Sequence, residues 1–395
     1  MTSASGCVTF VNADSSGGNA GSLRIASSRI AAVGAAGSPG DLLVDLEGDR
    51  LLPGLVNAHD HLHLNTLQPL EPTGHWRHVR EWIAQINLRR RTDPIFESQI
   101  AVARDERLLI GGLKSLLSGV TTVAHHDPLY PFLVNGLFPT GVLEKYGWSH
   151  SLYIDGDDPV CAAFRRTPPD WPWIIHAAEG VDEEGAGEFD RLDALGCVAA
   201  NTLIVHGIAL DRARRARLEE AGAGLIWCPS SNLRLFGRTA AVSELARRGR
   251  VALGTDSRLS GSRDLLCEIK AAREASGLGA DTLESMVTRD AATLLRLPDR
   301  GVLRVGARAD LMVLPKGMAL SSATRADVRL VVLGGRALYA DADYARILAP
   351  ANHWAAVRVD GRAKMLERGL VTALSAATVR EPGLEISNNL AWRAA

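Results

Sequence analysis

The chain reads as an α/β protein: a (β/α)8 TIM-like barrel with one βα unit shortened or missing, joined to a small composite β-sandwich drawn from both chain ends. Three observations lead there. Short β-type runs broken by Gly, Ser, Asn and Pro fill residues 1–52, as expected for strands with tight turns. From Pro53 to about Pro298 strand-like runs alternate with amphipathic helical stretches, the pattern of βα units around a parallel sheet, over close to the roughly 250 residues such a barrel takes. Short strands with glycine turns then return over 300–345 and can complete the first β unit, leaving 346–395 as a C-terminal extension after a barrel of 53–299.

In chain order, the runs 7–11, 23–25, 30–33 and 42–46 predict a small antiparallel unit. After an opening strand that ends near His59, strands are expected at 119–124, 148–154, 173–175, 202–205, 224–227 and 251–253. That makes seven, and too little chain separates Ile154 from Trp173 for another ordinary unit, so the shortened element is expected at 155–170. Leu109, Leu113, Leu116 and Leu117 recur at helical spacing, as do Leu265, Leu266, Ile269 and Ala272, so each set should bury one helix face. Asp281 followed by Glu284 reads as a capping box opening a helix through Leu295, and 363–375 reads as a further helix.

Composition narrows the function. With 44 basic and 45 acidic side chains the formal charge is −1, which leaves no footprint for nucleic acid or an anionic membrane. No apolar run spans a bilayer and no targeting segment opens the chain, so a cytoplasmic location is the default expectation. The five cysteines are scattered, odd in number and without a Cys-x-x-Cys pair, which argues against a disulfide framework or a cysteine zinc site. A small-molecule substrate is expected, and a homodimer is left open.

The chemistry collects at the ends of the predicted strands. His59 and His61 alternate along a strand, project to one side and can share a metal ion. His125 and His126 follow the next strand, then His176, His206 and finally Asp256, so that six of eleven histidines occupy these few positions. Functional residues of such barrels sit at the C-terminal strand ends. His63 continues the face of His59 and His61 as a substrate contact or a supporting hydrogen bond. Of His125 and His126, which alternate faces, His126 is expected to point into the site. Asn232 and Arg258 are further candidates for substrate contact.

The segments Leu52-Pro53-Gly54-Leu55-Val56-Asn57-Ala58-His59-Asp60-His61, Ile174-Ile175-His176-Ala177-Ala178-Glu179, Ile204-Val205-His206-Gly207, Leu253-Gly254-Thr255-Asp256, Cys228-Pro229-Ser230-Ser231-Asn232-Leu233 and Gly306-Ala307-Arg308-Ala309-Asp310-Leu311 resemble, in order, the motifs of the amidohydrolase superfamily, in its aminohydrolase and chlorohydrolase branch, which includes cytosine and guanine deaminases. The resemblance implies one divalent ion, zinc or in its place iron or manganese, on His59, His61, His176 and Asp256. It also implies catalytic roles for Glu179, His206 and Asp256. None of the three lysines in the barrel region, Lys114, Lys145 and Lys270, lies at a predicted strand end, so the bridging lysine of two-metal members is not expected. The implied activity is hydrolysis of carbon–nitrogen bonds other than peptide bonds, foremost hydrolytic deamination of a small aminated heterocycle (purine, pyrimidine, pterin or triazine) by a metal-bound hydroxide. Cyclic amide hydrolysis or chlorohydrolase-type displacement on the same site is the alternative, and a non-catalytic scaffold is the reading from a different class.

Overall fold

The structure, a computed structural model, describes residues 6–14, 21–35, 37–70 and 74–386. Eight parallel strands among these residues lie in two hydrogen-bonded sheets. Leu55–Asp60, Val120–His125 and Gly141–Val142 form one, and Gly147–Ser149, Trp173–Ala177, Thr202–His206, Gly224–Trp227 and Val251–Leu253 form the other. These strands are almost wholly buried on both faces, as parallel strands covered by helices must be, with polar residues gathered mainly at their ends. Helices follow where the apolar spacing placed them, at Arg104–Leu117 and Leu265–Ser276. The second is capped by the Asp264 carboxylate accepting from Cys267 N–H at 3.0 Å and stops at Gly277, whose φ of +65° suits glycine.

The missing strand is Gly141–Val142, and the shortened unit is therefore at 126–146 and not at 155–170. The strand is two residues long, and only Leu143–Tyr146 separates it from Gly147–Ser149, so no helix intervenes. The stretch 155–170 instead holds a complete helix, Asp157–Arg166. The strand expected over 148–154 ends at Ser149, because the Ser151 hydroxyl accepts from Ile154 N–H at 3.2 Å and caps a helical turn, Leu152–Asp155.

Around the barrel-like part, a seven-stranded antiparallel sheet runs in the order Leu384–Ile386, Trp354–Val359, Arg362–Glu367, Arg336–Ala340, Leu330–Leu333, Leu311–Leu314 and Arg50–Pro53. Its last two strands come from opposite ends of the chain and pair antiparallel, Met312 opposite Leu52. The stretch set apart as a C-terminal extension thus supplies three strands of this sheet. Residues 363–367 belong to one of them, and the helix expected from 363 begins only at Arg368, with the Glu367 carboxylate accepting from Leu370 N–H. Alternation explains the layering: Leu311 and Val313 face a four-stranded sheet, Arg29–Val33, Leu23–Ala26, Val8–Val11 and Leu42–Asp45, while Met312 and Leu314 face the larger core shared with the parallel strands. In that smaller sheet Val8–Val11 and Leu42–Asp45 run parallel, not antiparallel as expected. Met312 also packs against Gly119, where φ is +83° and a side chain would collide with it.

Asp281 does not cap a helix. Gly279 precedes Ala280–Ser285 without a side-chain cap, and a second short helix, Arg289–Leu294, follows a break at 286–288. The break has a use: Leu253 N–H donates to Met286 O at 3.0 Å and Val56 N–H to Val287 O at 2.8 Å, so the freed carbonyls hold the last and first parallel strands. No helix among the described residues is long and apolar enough to cross a membrane.

Candidate metal centre and active site

Strand alternation and strand ends bring the predicted residues together. His59 lies in Leu55–Asp60 and His61 just beyond it, their ring centroids 5.0 Å apart. His176 is in Trp173–Ala177, His206 ends Thr202–His206, and Asp256 lies three residues past Val251–Leu253. Ala178, His206 and Asp256 have φ of +53°, +73° and +52°, a left-handed backbone that non-glycine residues adopt at a penalty and that gathers at functional sites. It turns the chain sharply where these side chains must face inward.

His61 Nδ1–H donates to Asp127 Oδ2 at 2.9 Å and His176 Nδ1–H to His150 O at 2.8 Å, which in the neutral rings leaves both Nε2 atoms with lone pairs, 3.3 Å apart. Two lone pairs at that distance repel unless a cation lies between them. Ligands about 2.1 Å from a tetrahedral ion are themselves about 3.4 Å apart, so the spacing suits a shared metal. Buried His59 has no partner on either nitrogen, and its Nε2 is 3.8 Å from Asp256 Oδ1. Outer partners such as Asp127 are what fix the tautomer and orientation of metal-binding imidazoles. The residues therefore fit a divalent metal.

His126 joins this group: ligand atoms of His59, His61, His126 and His176 lie within 4.8 Å of one another. Its Nε2–H donates to Ser149 O at 2.9 Å, and its Nδ1 has no partner. Expected to touch substrate, it is instead buried behind His176, ring centroids 4.3 Å apart, and does not line the cavity. Arg258 also departs from expectation. Its guanidinium is bidentate on Glu381, at 2.6 and 2.8 Å, and so is turned away from the cavity. Asn232 accepts His206 Nδ1–H at 2.8 Å, orienting the imidazole rather than lining the cavity. His63 does line it, with Nδ1 3.6 Å from Asp127 Oδ2. Buried His125 places Nδ1 3.2 Å from Leu62 N and 3.3 Å from Asp60 O and does not line the cavity.

Sequence reasoning missed Asp127 and the serines. Asp127 follows the two histidines directly, and nothing in its spacing distinguishes it. Ser231 and Ser260 hydroxyls donate to Asp256 Oδ2 at 2.9 and 2.7 Å, and Ser257 N–H donates to Oδ1 at 2.7 Å. Against the opposing effect of burial, the charges of His61 and His206 and these donors hold the Asp256 pKa down to about 2. Burial likewise works against His61, yet Asp127 raises its pKa by hydrogen bond and charge. Glu179 goes the other way: burial, with the Asp256 and Glu188 carboxylates nearby, pushes its pKa well above the usual range. Its Oε1 lies 3.5 Å from His206 Nε2.

These groups floor a cavity of about 210 Å³. Its upper wall is apolar, from Leu64, Val79, Trp82, Ile83, Ile154 and Leu235. The arrangement offers a floor that fits a metal ion, a carboxylate biased towards ionisation, a carboxyl biased towards protonation and an oriented imidazole, all facing space for a small, largely apolar ligand.

Comparison with known proteins agrees. The sequence pattern of the amidohydrolase family matches residues 172–338. A 5-methylthioadenosine/S-adenosylhomocysteine deaminase of Haloarcula marismortui is 27% identical, over 70% of this chain and 75% of its own. An 8-oxoguanine deaminase of Pseudomonas aeruginosa is 27% identical, over 66% and 73%. Among solved structures, a mutant atrazine chlorohydrolase of Arthrobacter aurescens TC1, complexed with zinc and atraton, superposes with a TM-score of 0.67 at 18% identity, covering 82% of this chain and 93% of its own. The fold is thus an α/β one of TIM-barrel type. The chain carries the amidohydrolase family pattern over 172–338 and resembles relatives named as deaminases. The protein is a hydrolase acting on carbon–nitrogen bonds other than peptide bonds.

Proposed function

We propose that the protein is a hydrolytic deaminase of a small aminated heterocycle, of purine, pyrimidine, pterin or triazine type. The observation that carries this reading is Glu179, a buried carboxyl group biased to its protonated form and facing the same cavity as the ionised Asp256. Replacing an amino group on an aromatic ring by water needs a ring nitrogen protonated and a proton removed from water. Two carboxyl groups whose surroundings drive their pKa values apart suit those tasks. Glu179 would donate to the ring nitrogen, Asp256 would accept the proton from water, and His206, steadied by Asn232, would orient the water or polarise the reacting carbon's substituent. His59, His61, His176 and Asp256 would hold one ion, foremost zinc, with His126 as a further nitrogen at hand. When bound, the ion supplies Lewis acidity and lowers the pKa of water it coordinates. His63 would contact the substrate from the cavity wall.

The relatives named as deaminases support the reaction class, and the zinc-bound chlorohydrolase supports only the fold. The barrel is read as a full (β/α)8 barrel with its shortened unit at 126–146, and the two chain ends as one composite β domain. Screening the zinc-loaded protein against aminated heterocycles for ammonia release tests the function. Release from at least one such ring, abolished by chelation, is the expected result. Turnover confined to cyclic amides or to chlorinated rings would favour the alternative chemistry on the same site.

A further inference from the structure

The residues read here as metal ligands belong to separate hydrogen-bonded sheets. His59 and His61 stand at the end of the three-stranded one, and His176 and Asp256 on or beyond strands of the five-stranded one. At the seam between Leu55–Asp60 and Val251–Leu253 no ladder pairs the strands among the described residues, and a backbone bond, Asp256 N–H to His59 O at 3.1 Å, crosses just beyond the second strand. A knot of buried side chains stands beside it. Lys114 reaches in from the helix Arg104–Leu117 and the three N–H groups of its Nζ are shared among four acceptors, Asp60 Oδ2 at 2.9 Å, Asn65 Oδ1 at 2.8 Å, Thr255 Oγ1 at 3.1 Å and Asp256 O at 3.2 Å. The Thr255 hydroxyl donates to Asp60 Oδ2 at 3.0 Å, and Thr255 N–H to Asn57 Oδ1 at 3.1 Å. Asp60 and Lys114 are 0% and 1% exposed, so neither touches the cavity or solvent. Asp60 sits between the two histidines, and Thr255 immediately precedes Asp256.

We propose that the Asp60–Lys114 pair, with Thr255, is a positioning latch that sets the distance between the histidine side and the Asp256 side of the metal centre. The proposal rests on the reading of those residues as metal ligands and adds a cause for their convergence. Against an apolar replacement a buried ion pair contributes little net stability, but its directional bonds are satisfied in one arrangement only. Ligands that must meet an ion at about 2.1 Å tolerate little error in that arrangement. Both residues act through the ligands and are positioning residues, not catalytic ones.

The test uses the full chain and zinc itself, with the dissociation constant read by chelator competition and thermal unfolding measured with and without the ion. Removing Lys114 alone would strand a buried carboxylate, so the informative variants are the double Asp60→Asn/Lys114→Met, which leaves no unpaired charge, and Thr255→Val, which deletes one link. Zinc affinity is expected to fall about 10–100-fold, as for other groups that orient metal ligands. The shortfall should appear as a smaller zinc-induced rise in unfolding temperature than in the wild type, since bound ligand stabilises according to its affinity. Unchanged affinity, even with lower stability in both states, would overturn the latch. Should the double variant fail to fold, Thr255→Val decides by the same criterion. A wild-type chain that binds no zinc would overturn the metal reading itself, an outcome visible before any variant is compared.

Discussion

Glu179 and Glu268 are both buried carboxyl groups whose pKa desolvation raises, yet only Glu179 faces the cavity. Glu179→Gln keeps size and shape, so fold and metal content should persist while turnover falls about 10²–10⁴-fold, the worth of a positioned proton donor. Steady-state kinetics beside metal analysis checks this, and a variant as fast as wild type would remove Glu179 from the mechanism. For Glu268 the consequence is stability. Burial raises its pKa to about 7 from an ordinary 4.5. Below pH 4.5 both folded and unfolded chains hold the proton. As pH rises the unfolded chain releases it first, so stability declines until the folded group ionises near pH 7, by about 3 kcal/mol in all. Glu268→Gln should flatten denaturation midpoints between pH 5 and 7, and an unchanged slope would refute the assignment. At this scale His59, His61, His176, His206 and Asp256 were legible because strand ends expose their spacing. Asp127 and the destination of Arg258 were not, since a carboxylate's partner and a guanidinium's direction depend on chain brought near by folding, in the second case from residue 381.

The helix Arg104–Leu117 shows what apolar spacing can and cannot reveal. Its leucines announced one buried face, but every residue from Arg107 to Leu117 is buried, because parallel strands cover one side and other elements the rest. Leu113→Ala there, at a fully buried site, should destabilise by about 2–5 kcal/mol in chemical denaturation. Ile95→Ala, at a position 60% exposed, should change stability by less than about 0.5 kcal/mol. Comparable losses at the two positions would mean that the packing is misplaced. Gly141–Val142 escaped notice for the opposite reason. Two residues carry no periodicity, and the strand exists only because Leu143 N–H and its neighbours find carbonyls on Val120–His125. The Ser151 cap was readable as a residue type but was hidden among Trp148, Leu152, Tyr153 and Ile154, residue types that alone favour a strand.

For the whole molecule, we read the two chain ends as one domain built across the barrel. Closing so long an insertion adds little entropy, about 0.6 kcal/mol per doubling of length. The sheet covers apolar surface through Met312, Leu314, Val331 and Val357, so a fragment of residues 53–299 should aggregate, and its recovery as a folded monomer would count against that reading. The alternation of strands and helices made the barrel legible, but not which strands from the two ends pair, because antiparallel partners such as Leu52 and Met312 carry no mark of one another. The central claim, a metal centre on His59, His61, His176 and Asp256, is tested most directly by the metal content per chain of the gently purified protein beside a His61→Ala variant. About one zinc-like ion in the wild type and little in the variant is the expected result. A wild-type chain fully active without metal would contradict it.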